Sequence, residues 1–363
     1  MRAAVFAIAL LAACASAPTP QTGERAPPLP PQIIDAAFAL ARENDGGTRA
    51  QALAFVGRED LAGPDYRPVC AGLSVDPITE IVRQSVGHRV VIINEAHDAP
   101  RDRAFIADLA TALRREGFSI YAAETLFPRT GDTHTWPSIN EGWYTREPIF
   151  AQLLRHTRSE GWRFGPYDDM STPTGMTDAV EQMAYRETRQ AENLQALLTA
   201  NPDARMLVHV GYDHLLEAPE EGGLAMMAER LKASTSLDPL TIDQTRNVAS
   251  GDRYVVCDPS RLAPAGIDIR LGSPRLTFAD GRPAWRQAAG QKPVYLPAMA
   301  NSSVPTIWEA RRADESNDAV PIDRIMIRSS ERLPFLLPPG RYRAESWSAE
   351  SGWSASAIQF DVD

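Results

Sequence analysis

The chain has 363 residues, 47 acidic against 37 basic side chains, a net charge of −10 and 44% hydrophobic residues. That apolar content builds a core and excludes wholesale disorder. The negative balance argues against a nucleic-acid partner, which needs a basic face, and against charge-driven attachment to an anionic membrane. Three cysteines are an odd number, so they need not share one task.

Arg2 precedes an apolar run at 3–13 (AAVFAIALLAA), followed by Cys14. This reads as a secretion signal, too short to span a bilayer. Leu11-Ala12-Ala13-Cys14 looks like a bacterial lipobox. Residues 1–13 are therefore expected to be a signal peptide and Cys14 to carry lipid; an ordinary signal peptide cut after Ala13 or Ala17 is the alternative. Ala15 and Ser16, with no Asp, favour an outer-membrane lipoprotein facing the periplasm or the cell surface. Residues 14–31 form a tether, with six prolines between 18 and 31. In an oxidising compartment Cys70 and Cys257 are expected to pair; two buried thiols are the alternative.

The spacing then predicts strands alternating with helices. Asp76-Pro77 opens a helix ending near Gly87, and 89–94 (RVVIIN) is a buried strand. Apolar positions at Phe105, Ile106, Leu109, Ala110 and Leu113 predict a helix over 100–116, stopped by Gly117. Further strands are expected at 118–123, 161–167, 204–210 and 239–242, with helices at 147–160, 174–200 and 221–233. The order implies an α/β domain over 32–250, a mostly parallel sheet with helices on both faces. After residue 250 turn signals multiply and the strands alternate, so 251–363 is expected to be a small antiparallel, sandwich-like β domain.

Parallel sheets bind ligands beyond the carboxyl ends of their strands. Glu95, His97, Glu124, Asp168, His209, Tyr212 and His214 all fall at such ends. Glu95, His97, Glu124 and His214 are the candidate catalytic set. The same four are a candidate set for a divalent metal (Mn, Co or Zn), since imidazole and carboxylate are its usual ligands. Alternatively His97 is a general base for water, oriented by a carboxylate. Arg186, Arg189 and Asn193 share a helical face that could hold an anionic substrate or Glu124; a solvated, salt-bridged face is the alternative. Asp168 is a candidate orienter of a histidine, and His209 is either a ligand contact or a satisfied core group. A long insertion at 127–147 carries Trp136, Trp143 and Tyr144, an aromatic lid or ordinary packing.

Residues 94–129 (NEAHDAPRDR through AAETLFPR), YRETRQAEN at 185–193 and HVGYDH at 209–214 together resemble the erythromycin esterase, ChaN and TIKI superfamily over about residues 85–245. The wording EAHDxPxxR followed by ETLFPR is nearest to the haem-binding ChaN-like lipoproteins. The family's Gly before Glu95 is Asn94 here, and Asn tolerates positive φ better than most residues. The resemblance implies a hydrolase acting on an ester or amide, metal-dependent in some members, or a haem carrier using the same pocket. A structural envelope protein with a vestigial pocket is a third expectation. The expected partners are a small-molecule or peptide ligand, and the membrane through the N-terminal lipid.

Overall fold

A computed structural model describes residues 46–128, 135–169, 171, 173–218, 223–262, 266–301, 303–348, 352–353 and 358–363. The expected signal peptide, Cys14 and the expected proline-rich tether lie outside the described residues. Helix α1 (Gly46–Phe55) comes first. The Asp76 side chain caps α2 (Pro77–Ser85), accepting from Thr79 N, with Pro77 at the first turn. Strand β1 (Val90–Glu95) is buried throughout. There follow α3 (Pro100–Arg115), β2 (Phe118–Ala123), α4 (Pro148–Ser159), β3 (Arg163–Pro166), α5 (Ala179–Ala200), β4 (Arg205–Gly211), α6 (Met227–Thr235) and β5 (Leu240–Val248).

Beyond β5 come β6 (Val255–Val256) and β7 (Ile269–Ser273). The large sheet has the order β3-β2-β4-β1-β5-β7-β6, parallel except for β6. Alternate residues of each strand face opposite helical layers, as the period of two requires. Val91, Ile93, Tyr121 and Leu207 pack with α3 and α4. Val90, Ile92, Ala122, Met206 and Val208 pack with α5 and α6. Burying each such side chain stabilises the fold by about 1.5–3 kcal/mol. Strand β4 inserts between β1 and β2, so the carboxyl ends of these three strands lie side by side.

The C-terminal region adds the hairpin β8 (Phe278–Ala279) and β9 (Arg282–Pro283), then α7 (Ala284–Ala288), β10 (Lys292–Val294), β11 (Thr306–Arg312), β12 (Asp323–Ile327), β13 (Phe335–Leu337), β14 (Gly340–Ser348), β15 (Gly352–Trp353) and β16 (Ile358–Val362). Strands β11, β12, β14, β15 and β16 form one antiparallel sheet, and β10 pairs with β13. Trp308, Ala310, Ile325, Phe335, Leu337 and Tyr342 fill the space between.

The expected division at residue 250 does not follow the sheets. Strands β6 and β7, beyond that point, complete the large sheet. At the other end, α1 packs on the C-terminal sheet, where Phe55 and Val56 meet Ile307 and Met326. Gly57 turns the chain there at φ +64°, and a Cβ on it would lie 2.2 Å from the carbonyl oxygen of Arg324. The two regions thus share their chain termini. Cys70 and Cys257 are joined as a disulfide, tying the segment before α2 to the β6 edge.

Candidate functional site

Glu95 ends β1 almost fully buried. Arg103 of α3 grips it from below, Nε to Oε2 at 2.6 Å and Nη2 to Oε1 at 2.8 Å. Arg103 reaches inward because it lies on the buried stripe of α3 with Ile106, Ala110 and Leu113. It also donates to Glu147 Oε2 (3.0 Å) and to the His97 carbonyl (3.1 Å). His97 Nδ1 lies 3.2 Å from Glu95 Oε1. His209 Nε2 lies 3.1 Å from Oε2, though off the hydrogen-bond direction. Burial alone would raise the Glu95 carboxyl; Arg103 and the two imidazoles outweigh it and hold it well below the ordinary range.

Glu124 follows β2 and forms the second buried carboxylate. Its Oε1 accepts from Arg186 Nη2 at 2.5 Å and lies 3.5 Å from His214 Nε2; its Oε2 accepts from Gly211 N at 2.6 Å. Burial opposes ionisation here too, but His214 and Arg186 keep this group well below its usual value. Arg186 also holds Asp168 in a two-point pair at 3.0 and 2.8 Å. Burial pushes Asp168 up.

His214 sits between two carboxylates, with Glu187 Oε1 2.6 Å from Nδ1. Burial would lower its pKa, yet Glu187 and Glu124 push it up to about 10. At neutral pH it is an imidazolium. Within the candidate catalytic set His214 is thus a fixed positive charge. Glu187 Oε2 in turn accepts from Met227 N, at the start of α6.

His97 differs from both neighbours. Its side chain keeps 16% exposure, so water reaches it. Its ring stacks on Tyr144 at 3.9 Å and meets the edge of Tyr212 at 4.9 Å. Gly211 faces it: a Cβ there would lie 2.4 Å from His97 Cε1, 2.8 Å from Nε2 and 3.1 Å from Glu124 Oε2. Nε2 therefore occupies space that only a glycine leaves open, beside the second carboxylate. Burial, with the charges of Glu124 and Glu95, raises the Tyr144 hydroxyl well above its ordinary value, so it stays a neutral donor.

Tyr212 adopts φ +41°, a costly conformation for a residue with a Cβ, on the order of 1 kcal/mol or more. Asn94 enforces it, donating from Nδ2 to the Tyr212 carbonyl at 2.8 Å and to Asp243 Oδ1 at 2.7 Å. The Tyr212 hydroxyl accepts the backbone N–H of His97 at 3.3 Å. Asn94 itself lies in β1 with no positive φ. The turn that needed an unusual residue is at Tyr212, one strand away.

The remaining expected contacts fall elsewhere. His209 is 2% exposed, bonded through Nδ1 to the Tyr121 hydroxyl at 2.7 Å and stacked on Phe150. It shares the Leu207 side of β4 and supports Glu95 from behind. Arg189 turns outward to Asp169 and Glu192. Trp143 packs inward on the cluster of Phe55, Val56, Ile307 and Met326. Residues 137–139 bond to 318–320 and brace this part of the insertion to the C-terminal region, while Tyr144 of the same insertion stacks on His97; residues 129–134 lie outside the described residues.

The expected divalent metal does not fit this arrangement. Among the described residues no three His, Cys, Asp or Glu side chains are placed to hold a metal ion. Glu95 and Glu124 each face an arginine, so their oxygens are not directed together at one point.

The residues that spacing alone did not single out are Arg103, Gly211 and Glu187; Tyr144 was named only as part of the aromatic insertion. Arg103 and Glu187 carried a signal: each is a charged residue in phase with the buried stripe of its helix.

No protein-family model matches the chain, and no curated protein matches it. Among solved structures, the type III effector HopBA1 is similar at a TM-score of 0.36 and 12% identity, over 58% of this chain and 99% of that one. The C-terminal region of Pasteurella multocida toxin, described with a thiol-protease like catalytic triad, gives 0.32 and 11%, over 91% of this chain and 50% of that one. RRSP, a MARTX toxin effector domain from Vibrio vulnificus CMCP6, gives 0.28 and 17%, over 55% and 42%. Likeness this slight carries no argument about activity. Among the described residues no helix is long and apolar enough to cross a membrane.

Proposed function

We propose that the protein is a hydrolase of esters or amides in which His97 activates water. One observation carries this reading: a solvent-reached imidazole whose Nδ1 faces an ionised, arginine-locked Glu95. An ionised carboxylate only accepts, so Nδ1 carries the proton and Nε2 keeps the lone pair. Nε2 takes a proton from water as the water oxygen bonds to the substrate carbonyl carbon. The imidazolium then stands between Glu95 and Glu124, which stabilise its charge. It returns the proton to the leaving alcohol or amine as the tetrahedral intermediate collapses. The neutral Tyr144 hydroxyl is the donor at hand for the carbonyl oxygen.

In the same reading Cys14 carries lipid and residues 14–31 tether the enzyme to the outer membrane. The test is a panel of p-nitrophenyl esters and aminoacyl anilides offered to wild type and His97→Ala. Wild type hydrolyses at least one member, and the variant falls to background. Equal turnover by both, or none by wild type, sinks the proposal.

A further inference from the structure

The cations around this site share a pattern: each bridges two carboxylates. Arg103 lies between Glu95 and Glu147, and Arg186 between Glu124 and Asp168. His214 lies between Glu124 and Glu187. Arg246, at the rim, reaches Asp213 and stands 3.7 Å from Asp243. The site therefore carries surplus negative charge in poorly solvated surroundings, where an arriving anion is repelled strongly. This also removes the expected role of Arg186 and Arg189 as holders of an anionic substrate: the first is enclosed and the second points away.

Asp98 stands outside these pairs. It is half-buried in the loop after β1, and among the described residues no basic side chain lies within ion-pair distance of it. Its charge bears on Tyr212, whose hydroxyl is raised first by burial and then by Asp98. Tyr212 is 45% exposed, although it touches His97 and is pinned at both ends by Asn94 and the His97 N–H. A strained, immobilised and half-bare ring beside a proton-transfer group is built to meet something that arrives from solution.

We propose that the substrate of this site carries a cationic group, an ammonium or guanidinium, seated against the Tyr212 ring beside Asp98. An aromatic face and an uncompensated carboxylate are the two features that recognise such a group. The role given to this cation, presenting the scissile carbonyl to His97, rests on the hydrolase reading; the seat itself does not.

The seat is tested without turnover, so its outcome is independent of the His97 result. Benzyltrimethylammonium, benzyl alcohol and benzoate are titrated separately into the full chain by calorimetry at low salt. The cation binds at least about tenfold tighter than either of the others. Asp98→Asn and Tyr212→Ala each reduce cation affinity several-fold while melting normally, and Tyr212→Phe retains it. Benzyl alcohol binding as well as the cation shows an apolar wall only and overturns the proposal. So does benzoate binding as tightly, no binding of any probe, or cation affinity unchanged in Asp98→Asn and Tyr212→Ala.

Discussion

Two buried ion networks lie in this molecule, and they are built for different ends. In the C-terminal sheet Glu309 is held by Arg311 and Arg324, and Arg311 continues to Glu345 at 3.0 Å. Nearby, Asp323 accepts from Arg282 and Arg286 at 2.8 and 2.6 Å. These groups are arginines and carboxylates, shut off from solvent. Burial opposes the charge on Glu309, and the two arginines outweigh it and hold its pKa below the ordinary value. The network at the end of the large sheet uses the same pairs but adds imidazoles and leaves His97 and Tyr212 open to water. Buried charge by itself therefore marks no site. What separates the two is an imidazole that solvent reaches, paired through Nδ1 with a buried carboxylate.

Breaking each network separates the roles. His97→Ala is expected to lower kcat on any hydrolysed ester by about 10²–10⁴-fold with little change in melting temperature. Glu309→Ala does the reverse. It strands the buried Arg324, leaves Arg311 with Glu345 alone, and costs about 3–5 kcal/mol by denaturant titration, with kcat per folded molecule unchanged. A variant that lost both properties from either end would erase the distinction.

Gly211→Ala sharpens it. The backbone at Gly211 has φ −88°, which any residue accepts, so the conflict comes from the new Cβ, first against His97 at 2.4 Å and then against Glu124 Oε2 at 3.1 Å. The expected effect is a fall in kcat of about tenfold to a hundredfold, since displacing a catalytic group by about 1 Å has that consequence. Wild-type activity in this variant removes His97 from the chemistry as placed.

The smallest effect is on pH. His214 is raised from its ordinary 6.5 to about 10 in the folded state. Its ion pairs therefore stabilise the fold fully below about pH 6.5, and that contribution is lost as pH rises through about 10. His214→Gln should be most destabilising at acid and neutral pH, and should converge on wild type above pH 10. A difference that grows with pH means the imidazole is neutral when folded.

Much of this was legible in the residues. Strand ends at Glu95, Glu124 and Gly211 followed from apolar runs bounded by polar residues, and a parallel sheet places such ends on one edge. The edge was found, but the roles within it were not. Four acids and imidazoles at strand ends read equally as metal ligands or as a base with its orienter. In the structure Arg103 and Arg186 arrive from helices 8 and 62 positions away from their carboxylates. The pairing of Arg186 with Glu124 was one reading of its helical face; spacing gave no sign of the pairing of Arg103 with Glu95. The sheets do not follow the division near residue 250 for a related reason: β6 and β7 are short strands whose place is set by pairing, β7 with β5 and β6 with β7, and not by their own pattern. The aromatic insertion was misleading because Trp143 has the same composition as a lid or a brace, and only its partners distinguish them.

The central claim is that Glu95 holds His97 with its proton on Nδ1, leaving Nε2 as the base. Long-range proton–nitrogen correlation on protein labelled with ¹⁵N-histidine reads this directly, with His97→Gln assigning the signal. The account predicts that neutral His97 shows a protonated Nδ1 and an unprotonated Nε2. A neutral His97 with its proton on Nε2 would contradict it, because the nitrogen facing Glu124 and solvent would then have no lone pair to offer water.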